Sequence, residues 1–207
     1  MTSTSTVEAT KTTLQSDCIE EDYEATCYKV GDVGPAGGTI FYAEYGILGS
    51  RCSPLCRYLE VAPTEISFEK VWCTDSSLFK DATQKDVGGG EFNTSIYEDD
   101  CPSGAIHEAA NYVSPDGTSD WYLPSIRELN ELCKYVRNQP TGDLGIDCAP
   151  NGYLRVGFTD GGYWSSTEVK DFGNVDNDAF IQYFDNGGIT SVPKYAKNRI
   201  IAIRMFG

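Results

Sequence analysis

The residues with the most evident chemistry are eight cysteines, which accompany a single histidine. Thiolates bind zinc or form disulfides, and an even cysteine count with almost no histidine favours disulfides. No second close pair follows Cys52 and Cys56 to complete a zinc site, and a Cys-x-x-Cys redox motif is absent. Eight cysteines allow 105 pairings, among which short loops cost the least closure entropy. We therefore predict an oxidising environment and the disulfides Cys18–Cys27, Cys52–Cys56, Cys73–Cys101 and Cys133–Cys148.

Catalytic signatures are weak. His107, with Glu108 beside it, is the one histidine that could act as a base. Its predicted position on a short helix, with no nucleophile opposite it, favours a structural role. There is no Gly-x-Ser-x-Gly motif, and the glycines at 88–90 lack the lysine and helix of a phosphate loop. The sequence therefore predicts a protein that is not an enzyme, with no catalytic residues and no cofactor.

Oxygen ligands of the kind that Ca²⁺ prefers gather in one loop, at Asp171, Asn174, Asp176, Asn177 and Asp178. This loop lacks the glycine and the closing glutamate of a helix-loop-helix calcium site. The pattern favours a solvated acidic loop and no metal site, with calcium binding as the alternative.

A polar loop near the C-terminus is the best candidate for ligand contacts. Tyr195 lies there beside lysine and asparagine residues, and tyrosine and asparagine make adaptable contacts at low ordering cost. The alternative is a solvated rim of a hairpin. The predicted ligand-binding set is Asp176, Asn177, Asp178, Asn186, Lys194, Tyr195 and Asn198.

Composition limits the partners. The chain carries 31 acidic and 16 basic residues, a formal net charge of −15, which repels phosphate backbones. We therefore expect no nucleic-acid partner. No apolar run approaches the roughly 20 residues of a membrane span, and no secretory signal pattern is present.

The start of the chain differs from the rest. Residues 1–17 are rich in serine and threonine with almost no large apolar side chain, so we expect a flexible or docking arm, followed by one domain over residues 18–207. Disulfides without a signal fit a virion component that oxidises after host lysis, a protein exported by another route, or one whose signal has been removed. We expect an extracellular or virion-surface location.

Two helices and several strands should position these residues. Ser125 and Glu128 form a capping-box pattern, and apolar residues at 126, 129, 132, 133 and 136 predict a core-facing helix over 125–138. A shorter helix is predicted over 103–113. Residues 67–100 are predicted to be mostly irregular because their composition is mixed and they contain three consecutive glycines.

A strand is predicted at 39–43, after the turn-rich residues 31–38. Alternating apolar residues predict further strands at 57–61 and over the last fifty residues. The C-terminal strands are expected at 163–168, 179–184, 189–192 and 199–206. Residues 185–188 suit the tight turn of a hairpin. Trp121 and Trp164 are expected to be core anchors. The pattern as a whole is α+β.

With these elements in place, the chain resembles the C-terminal domain family of the bacterial collagen-like adhesin, a branch of the C-type-lectin-like fold. The matching stretches are residues 30–42, 58–63, 120–132, 163–168 and 201–206. The resemblance implies two helices beside a twisted antiparallel sheet, paired N- and C-terminal strands, and long loops that carry ligands. Members are displayed on bacterial surfaces and in phage or retroelement-diversified proteins.

Functional motifs of other proteins with this fold are missing from the chain. Calcium-dependent lectins of the wider fold use a Glu-Pro-Asn or Gln-Pro-Asp triplet with a Trp-Asn-Asp, whereas this chain has Gln139-Pro140-Thr141 and no Trp-Asn-Asp. The same fold contains formylglycine-generating oxidases, and neither their Arg-Gly-Gly-Ser-Trp type segment nor their reactive cysteine pair has a match in this chain.

These observations predict a non-enzymatic, surface-displayed binding module, and specifically a phage virion protein that binds a receptor or decorates the capsid. One alternative is a secreted or cell-surface bacterial adhesin domain, and another is a purely structural shield or clamp on a capsid or filament. Expected partners are other virion or surface proteins, reached through the N-terminal arm, and a host-surface glycan or protein. We expect a multimeric assembly, since repeated copies increase avidity.

Overall fold

The computed structural model describes residues 28–44, 58–63, 67–170 and 177–207. The predicted arm at 1–17, the Cys18–Cys27 and Cys52–Cys56 pairs, and Asp176 lie outside these residues. The described elements, in chain order, are β1 (Thr39–Ala43), β2 (Tyr58–Val61), β3 (Ser67–Lys70), α1 (Gly89–Ser95), α2 (Ala105–Ala110), α3 (Ile126–Val136), β4 (Gly162–Glu168), β5 (Asp178–Tyr183), β6 (Ile189–Pro193), β7 (Asn198–Ile200) and β8 (Ile203–Phe206).

The strands form two sheets, which confirms an α+β architecture. One sheet has the order β1-β2-β8 and is antiparallel. The other has the order β3-β7-β4-β5-β6 and is mixed, because β4 and β7 run parallel. The expectation that the first strand pairs with the last is corrected, since β2 lies between β1 and β8.

The predicted strand at 199–206 is in fact two strands in different sheets. β7 belongs to the five-stranded sheet and β8 to the three-stranded sheet. The two residues between them, Ile201 and Ala202, are both buried. Ile201 belongs to the first core cluster, around Leu129 and Leu132, and Ala202 belongs to the second, around Trp72 and Trp164. A short segment that is apolar on both faces therefore connects the sheets and contributes to both halves of the core.

Helix α3 begins where its sequence predicts. The Ser125 hydroxyl accepts from the Glu128 amide, and the Glu128 carboxylate accepts from the Ser125 amide at 2.7 Å, which completes the capping box. The predicted apolar stripe of this helix is buried against the first core cluster. Trp121 and Trp164 are buried as expected, in the second cluster.

The region expected to be irregular contains two elements that the sequence did not reveal, β3 and α1. Helix α1 has only seven residues and starts at two glycines, so it lacks a periodic apolar stripe. It is held by tertiary contacts: the Asn93 side-chain amide donates to the Gln84 carbonyl at 2.7 Å, and the Thr94 hydroxyl donates to the Leu123 carbonyl at 3.2 Å.

Two predicted disulfides are formed, Cys73–Cys101 and Cys133–Cys148. The first closes the loop that contains α1, and the second joins α3 to the loop that follows it. None of the helices among the described residues combines the length and the apolar character needed to traverse a bilayer.

Candidate functional site

Helix α3 is covered on both of its faces, although its sequence is amphipathic. Ten of its eleven residues are buried, including Asn130, Glu131 and Lys134 on the face opposite the apolar stripe. Arg137, which ends the helix, is 5% exposed. These four residues recur at helical spacing and so form a polar stripe. The chain that covers this stripe is residues 139–158, which we call the α3 loop.

The start of the α3 loop is held by a buried ion pair. The Lys134 ammonium lies 2.5 Å from the Glu131 carboxylate, and both side chains are at most 1% exposed. The carboxylate also accepts from the Gly142 amide at 2.8 Å, and the ammonium donates to the Asp143 carbonyl at 2.6 Å. Burying two charges is tolerated here because each has its opposite partner and further hydrogen bonds to the loop backbone.

The middle of the loop is attached by an amide and a disulfide. The Asn130 side-chain amide donates to the Ile146 carbonyl at 3.2 Å and accepts from the Cys148 amide at 2.9 Å. Cys148 is covalently bonded to Cys133, one helical turn further along α3. The loop backbone therefore follows the helix surface in one fixed register.

Arg137 fixes the second half of the loop. Its guanidinium donates to six backbone carbonyls and so uses its full donor capacity, with Nε shared between two of them. The acceptors are Ala149 (2.9 Å), Pro150, Asn151 (3.1 Å), Gly152 (3.1 Å), Phe184 (2.6 Å) and Asp185 (2.9 Å). Because the last two belong to the turn after β5, one side chain joins the α3 loop to the β5–β6 hairpin.

The hairpin turn fits closely against the loop. Gly187 has a φ of +76°, and a Cβ atom there would lie 2.1 Å from the Cys148 carbonyl oxygen. Only glycine satisfies both the left-handed backbone and this close approach.

The α3 loop directs backbone carbonyl and amide groups to the polar stripe and packs Leu154 and Phe158 against the core. Four other apolar side chains of the loop point to solvent. Tyr153 is 91% exposed, Val156 is fully exposed and Ile146 is 58% exposed. We call the exposed apolar residues of this loop the α3-loop surface, which comprises Leu144, Ile146, Tyr153 and Val156.

This arrangement presents exposed apolar side chains on a loop with many backbone constraints. Covering an exposed apolar side chain of this size is worth about 1.5–3 kcal/mol. A loop that is already rigid loses little conformational freedom when a partner binds, which favours affinity. The cation–π contact of Arg155 with Tyr135, at 4.3 Å from guanidinium carbon to ring centre, adds a further constraint beside Tyr153 and Val156.

The ligand-binding set predicted from sequence does not form one face. In the β5–β6 pair, Asp178 lies opposite Pro193, whereas Gln182 lies opposite Ile189 next to the turn. Asn177 and Asp178 therefore lie about 20 Å from Asn186, at the other end of the hairpin. Both are half-buried, while Asn186 is exposed.

Tyr195 is 68% exposed, beyond the end of β6 where Pro193 lies. Asn198 is half-buried at the start of β7, with its side-chain oxygen packed against Gly162 at the start of β4. These two residues lie three positions apart in the connection from β6 to β7, and they differ in exposure.

Lys194 must be removed from the predicted surface set, because its side chain is fully buried. Its ammonium is paired with the equally buried Glu168 carboxylate and donates to the Leu78 carbonyl at 2.6 Å. It also lies 4.9 Å from the centre of the Trp72 ring. An opposite charge, a carbonyl and an aromatic face compensate for the lost hydration of the ammonium. Lys194 therefore stabilises the interior of the fold and is not a surface residue.

Glu168 is saturated by other donors as well. It accepts from the Ala82 amide at 2.7 Å and from the Tyr97 hydroxyl. Burial, together with the hydrogen bond to this carboxylate, raises the pKa of Tyr97. The cluster therefore holds the segment around residues 78–82 against β4.

The remaining candidates also find structural partners. The Glu108 carboxylate forms an ion pair with the Lys70 ammonium at 3.2 Å. His107 is half-buried and contacts the Asn111 side-chain amide at 3.3 Å. The oxygen-rich residues 171–176 lie outside the described residues, and the part of the chain that is described contains no grouping of three His, Cys, Asp or Glu side chains placed for a metal.

The α3-loop surface is the feature that sequence reasoning missed. The sequence does contain a signal. Polar residues at 130, 131, 134 and 137 recur at helical spacing outside the apolar stripe, and the loop that follows them contains scattered apolar residues. A solvated helix face gives the same pattern, so the sequence alone did not distinguish the two.

Comparison with known proteins identifies one family. Residues 69–204, about two thirds of the chain, match the family described as the Lcl C-terminal domain. The match includes α3, the α3 loop and the β5–β6 hairpin. No curated protein matches the chain.

Proposed function

The chain belongs to the Lcl C-terminal domain family, and on this premise we propose that it is a non-enzymatic adhesion module, displayed on a surface, that binds a receptor through the α3-loop surface. The observation that carries the proposal is the exposure of Tyr153 and Val156 on a loop fixed by Arg137, the Glu131–Lys134 pair and a disulfide. The loop packs Leu154 and Phe158 against the core, whereas Tyr153 and Val156 are left exposed and available to a partner.

The chemistry of the surface favours a protein receptor. Three of its four residues are aliphatic, and aliphatic side chains complement apolar patches of proteins, with Tyr153 as an aromatic anchor. The net charge of −15 disfavours polyanionic receptors such as sulfated glycans. An uncharged or basic protein patch is the receptor class that fits both properties.

For the fold and its setting, we propose the C-type-lectin-like arrangement and display on a phage virion. The supporting features are the two sheets that flank α3, the loops closed by disulfides, and the Ser/Thr-rich arm at 1–17. Two alternatives are compatible with the same fold: a bacterial adhesin displayed on a cell surface, and a protein that only decorates a particle.

The test uses host-cell or receptor binding by the full chain. Replacing Tyr153 and Val156 together with serine should weaken binding at least about tenfold, because two exposed anchors lose their apolar area. The free energy of unfolding should change by less than about 0.5 kcal/mol, since both side chains are exposed.

Tyr195→Ser is the matched control, because Tyr195 is an exposed tyrosine outside the α3 loop. It should leave binding unchanged. Equal binding by the Tyr153/Val156 double variant and the native chain would refute the assignment of the site. Particles without the protein that still adsorb normally would leave only the decorating role.

A further inference from the structure

Asparagine is followed by glycine at two places in the chain, Asn151–Gly152 in the α3 loop and Asn186–Gly187 in the β5–β6 turn. An asparagine side chain is most readily lost as ammonia at such a pair, because glycine has no Cβ atom to hinder the backbone nitrogen that attacks it. Both asparagines are exposed, so their own exposure does not distinguish them. The surroundings of the attacking nitrogen do.

The reaction at an Asn-Gly pair is an acyl transfer within the chain. The glycine nitrogen loses its proton to hydroxide and forms a bond to the asparagine Cγ atom. The bond from Cγ to the side-chain nitrogen then breaks, and that nitrogen takes a proton from water and leaves as ammonia. Water opens the resulting succinimide at either of its carbonyls, which gives aspartate or isoaspartate, so no reactant other than water is required.

The peptide between Asn151 and Gly152 is held with its carbonyl inward. The Asn151 carbonyl accepts from Arg137 Nε at 3.1 Å and from the Gln139 side-chain amide at 2.9 Å. In a trans peptide the N–H points opposite to the C=O, so the Gly152 N–H is directed to the outer side of the loop. Gly152 is exposed, and within the described ranges no acceptor binds its N–H. Hydroxide can therefore reach this proton without any opening of the fold.

The Asn151 side-chain amide is held beside the same peptide. Gln139 Nε2 lies 2.9 Å from the Asn151 carbonyl oxygen and 3.0 Å from Asn151 Oδ1, so one nitrogen binds both oxygens. This shared donor keeps the Cγ atom beside the peptide whose nitrogen attacks it. The hydrogen bond to Oδ1 also stabilises the negative charge that this oxygen gains during the attack, as a donor in an oxyanion site does.

The hairpin turn protects Asn186 from the same reaction. The Gly187 amide donates to the Tyr183 carbonyl at 2.9 Å, so its nitrogen is free to lose a proton only when the turn opens. Gly187 is also buried, against the Cys148 carbonyl. The Asn186 side-chain oxygen accepts from the Gly188 amide at 2.7 Å, which holds the side chain in the turn.

We propose that Asn151 is a site of spontaneous deamidation in the folded protein, converted to aspartate and isoaspartate, whereas Asn186 keeps its amide. Isoaspartate routes the backbone through Cβ and Cγ and so lengthens it beside Gly152. The Asn151 and Gly152 carbonyls are then no longer spaced for one Arg137 guanidinium, and the loop loosens next to Tyr153. An effect of this change on receptor binding rests on the function proposed above, whereas the deamidation itself does not.

The experiment follows both asparagines in the full chain by peptide mapping with mass spectrometry. The folded protein is incubated in a mildly alkaline buffer, and the reduced chain in urea supplies the unfolded reference rate for each site. Folding should slow deamidation of Asn186 at least about tenfold more than that of Asn151. Equal slowing of the two sites would overturn the proposal. An Asn151 that stays intact in the folded chain, while the unfolded chain reacts, would also overturn it.

The structural consequence has its own control, the Asn151→Asp variant, which carries the new charge on an unaltered backbone. The deamidated protein, separated from the native chain by ion exchange, should contain isoaspartate at position 151. Its Arg155 amide, which donates to the Val136 carbonyl, should exchange at least about threefold faster than in the Asn151→Asp variant. Equal exchange in the two proteins would refute the loosening of the loop.

Discussion

Replacing Arg137 with methionine should release the α3 loop without emptying the space that the arginine stem fills. Methionine keeps most of the aliphatic volume but removes all six hydrogen bonds to carbonyls of the loop and the hairpin turn. The bond to Phe184 is buried, and its loss costs about 1.5–3 kcal/mol because the donor is charged.

The other five acceptors are partly buried and regain water, so each contributes less. Removing the guanidinium also relieves its own desolvation, which offsets part of the loss. The net decrease in the free energy of unfolding should be about 2–3 kcal/mol, which for a chain of this size lowers the melting temperature by roughly 5–10 °C.

The assay is urea unfolding with the disulfides intact, together with amide exchange of Arg155, whose amide donates to the Val136 carbonyl at 2.9 Å. Exchange at Arg155 should accelerate in the Arg137→Met variant. Arg127→Met is the matched control: Arg127 also lies on α3 and contacts the same loop through the Leu144 carbonyl at 3.2 Å, but its side chain is 40% exposed. The Arg127→Met replacement should lower the free energy of unfolding by less than about 1 kcal/mol.

Two results would refute the reasoning. One is an Arg137→Met variant whose stability lies within about 0.5 kcal/mol of the native chain, which would show that the six contacts are individually replaced by water. The other is an equal loss in the Arg127→Met variant, because burial would then not distinguish the two arginines.

Three further predictions concern the other buried constraints. Replacing Cys133 and Cys148 with serine opens a disulfide between residues 15 apart and should lower the free energy of unfolding by about 3 kcal/mol; unchanged urea midpoints would contradict this. Lys194→Met leaves the buried Glu168 carboxylate without its cation and should cost about 3–5 kcal/mol by thermal unfolding, and adding Glu168→Gln should restore most of the loss. Burial raises the pKa of the Glu128 carboxyl above its ordinary value of 4.5, so the folded chain holds this proton more tightly than the unfolded chain. The contribution of Glu128 to the free energy of unfolding is therefore fully present below about pH 4.5, and it is lost as the pH rises through the raised pKa. Glu128→Gln should remove that decline, and equal pH dependence in both chains would exclude Glu128 as its source.

The local elements were largely predictable from the sequence. Strand β1 matches its predicted bounds, and α3 begins at the predicted Ser125 cap, because capping and apolar periodicity depend on residues within a few positions of one another. The Cys133–Cys148 and Cys73–Cys101 pairs also followed from the sequence, because loop closure favours near partners in each case.

Elements without a local signature were not predictable. Helix α1 and strand β3 form because distant residues bind them, as the Leu123 carbonyl binds Thr94. The division of the last predicted strand into β7 and β8 depends on two buried residues that belong to different core clusters, and a run of alternating apolar residues gives no sign of such a change of sheet.

The candidate site was decided by tertiary structure. Lys194 and Tyr195 are neighbours in a polar stretch of sequence, yet one is fully buried and the other is 68% exposed. The sequence determined the α+β class, the cap of α3, strand β1 and the two described disulfides, since these arise from short-range patterns. Only the folded chain determined which polar groups meet opposite charges and carbonyls away from water, and that pairing is what buries the polar face of α3 and turns Tyr153 and Val156 to the outside.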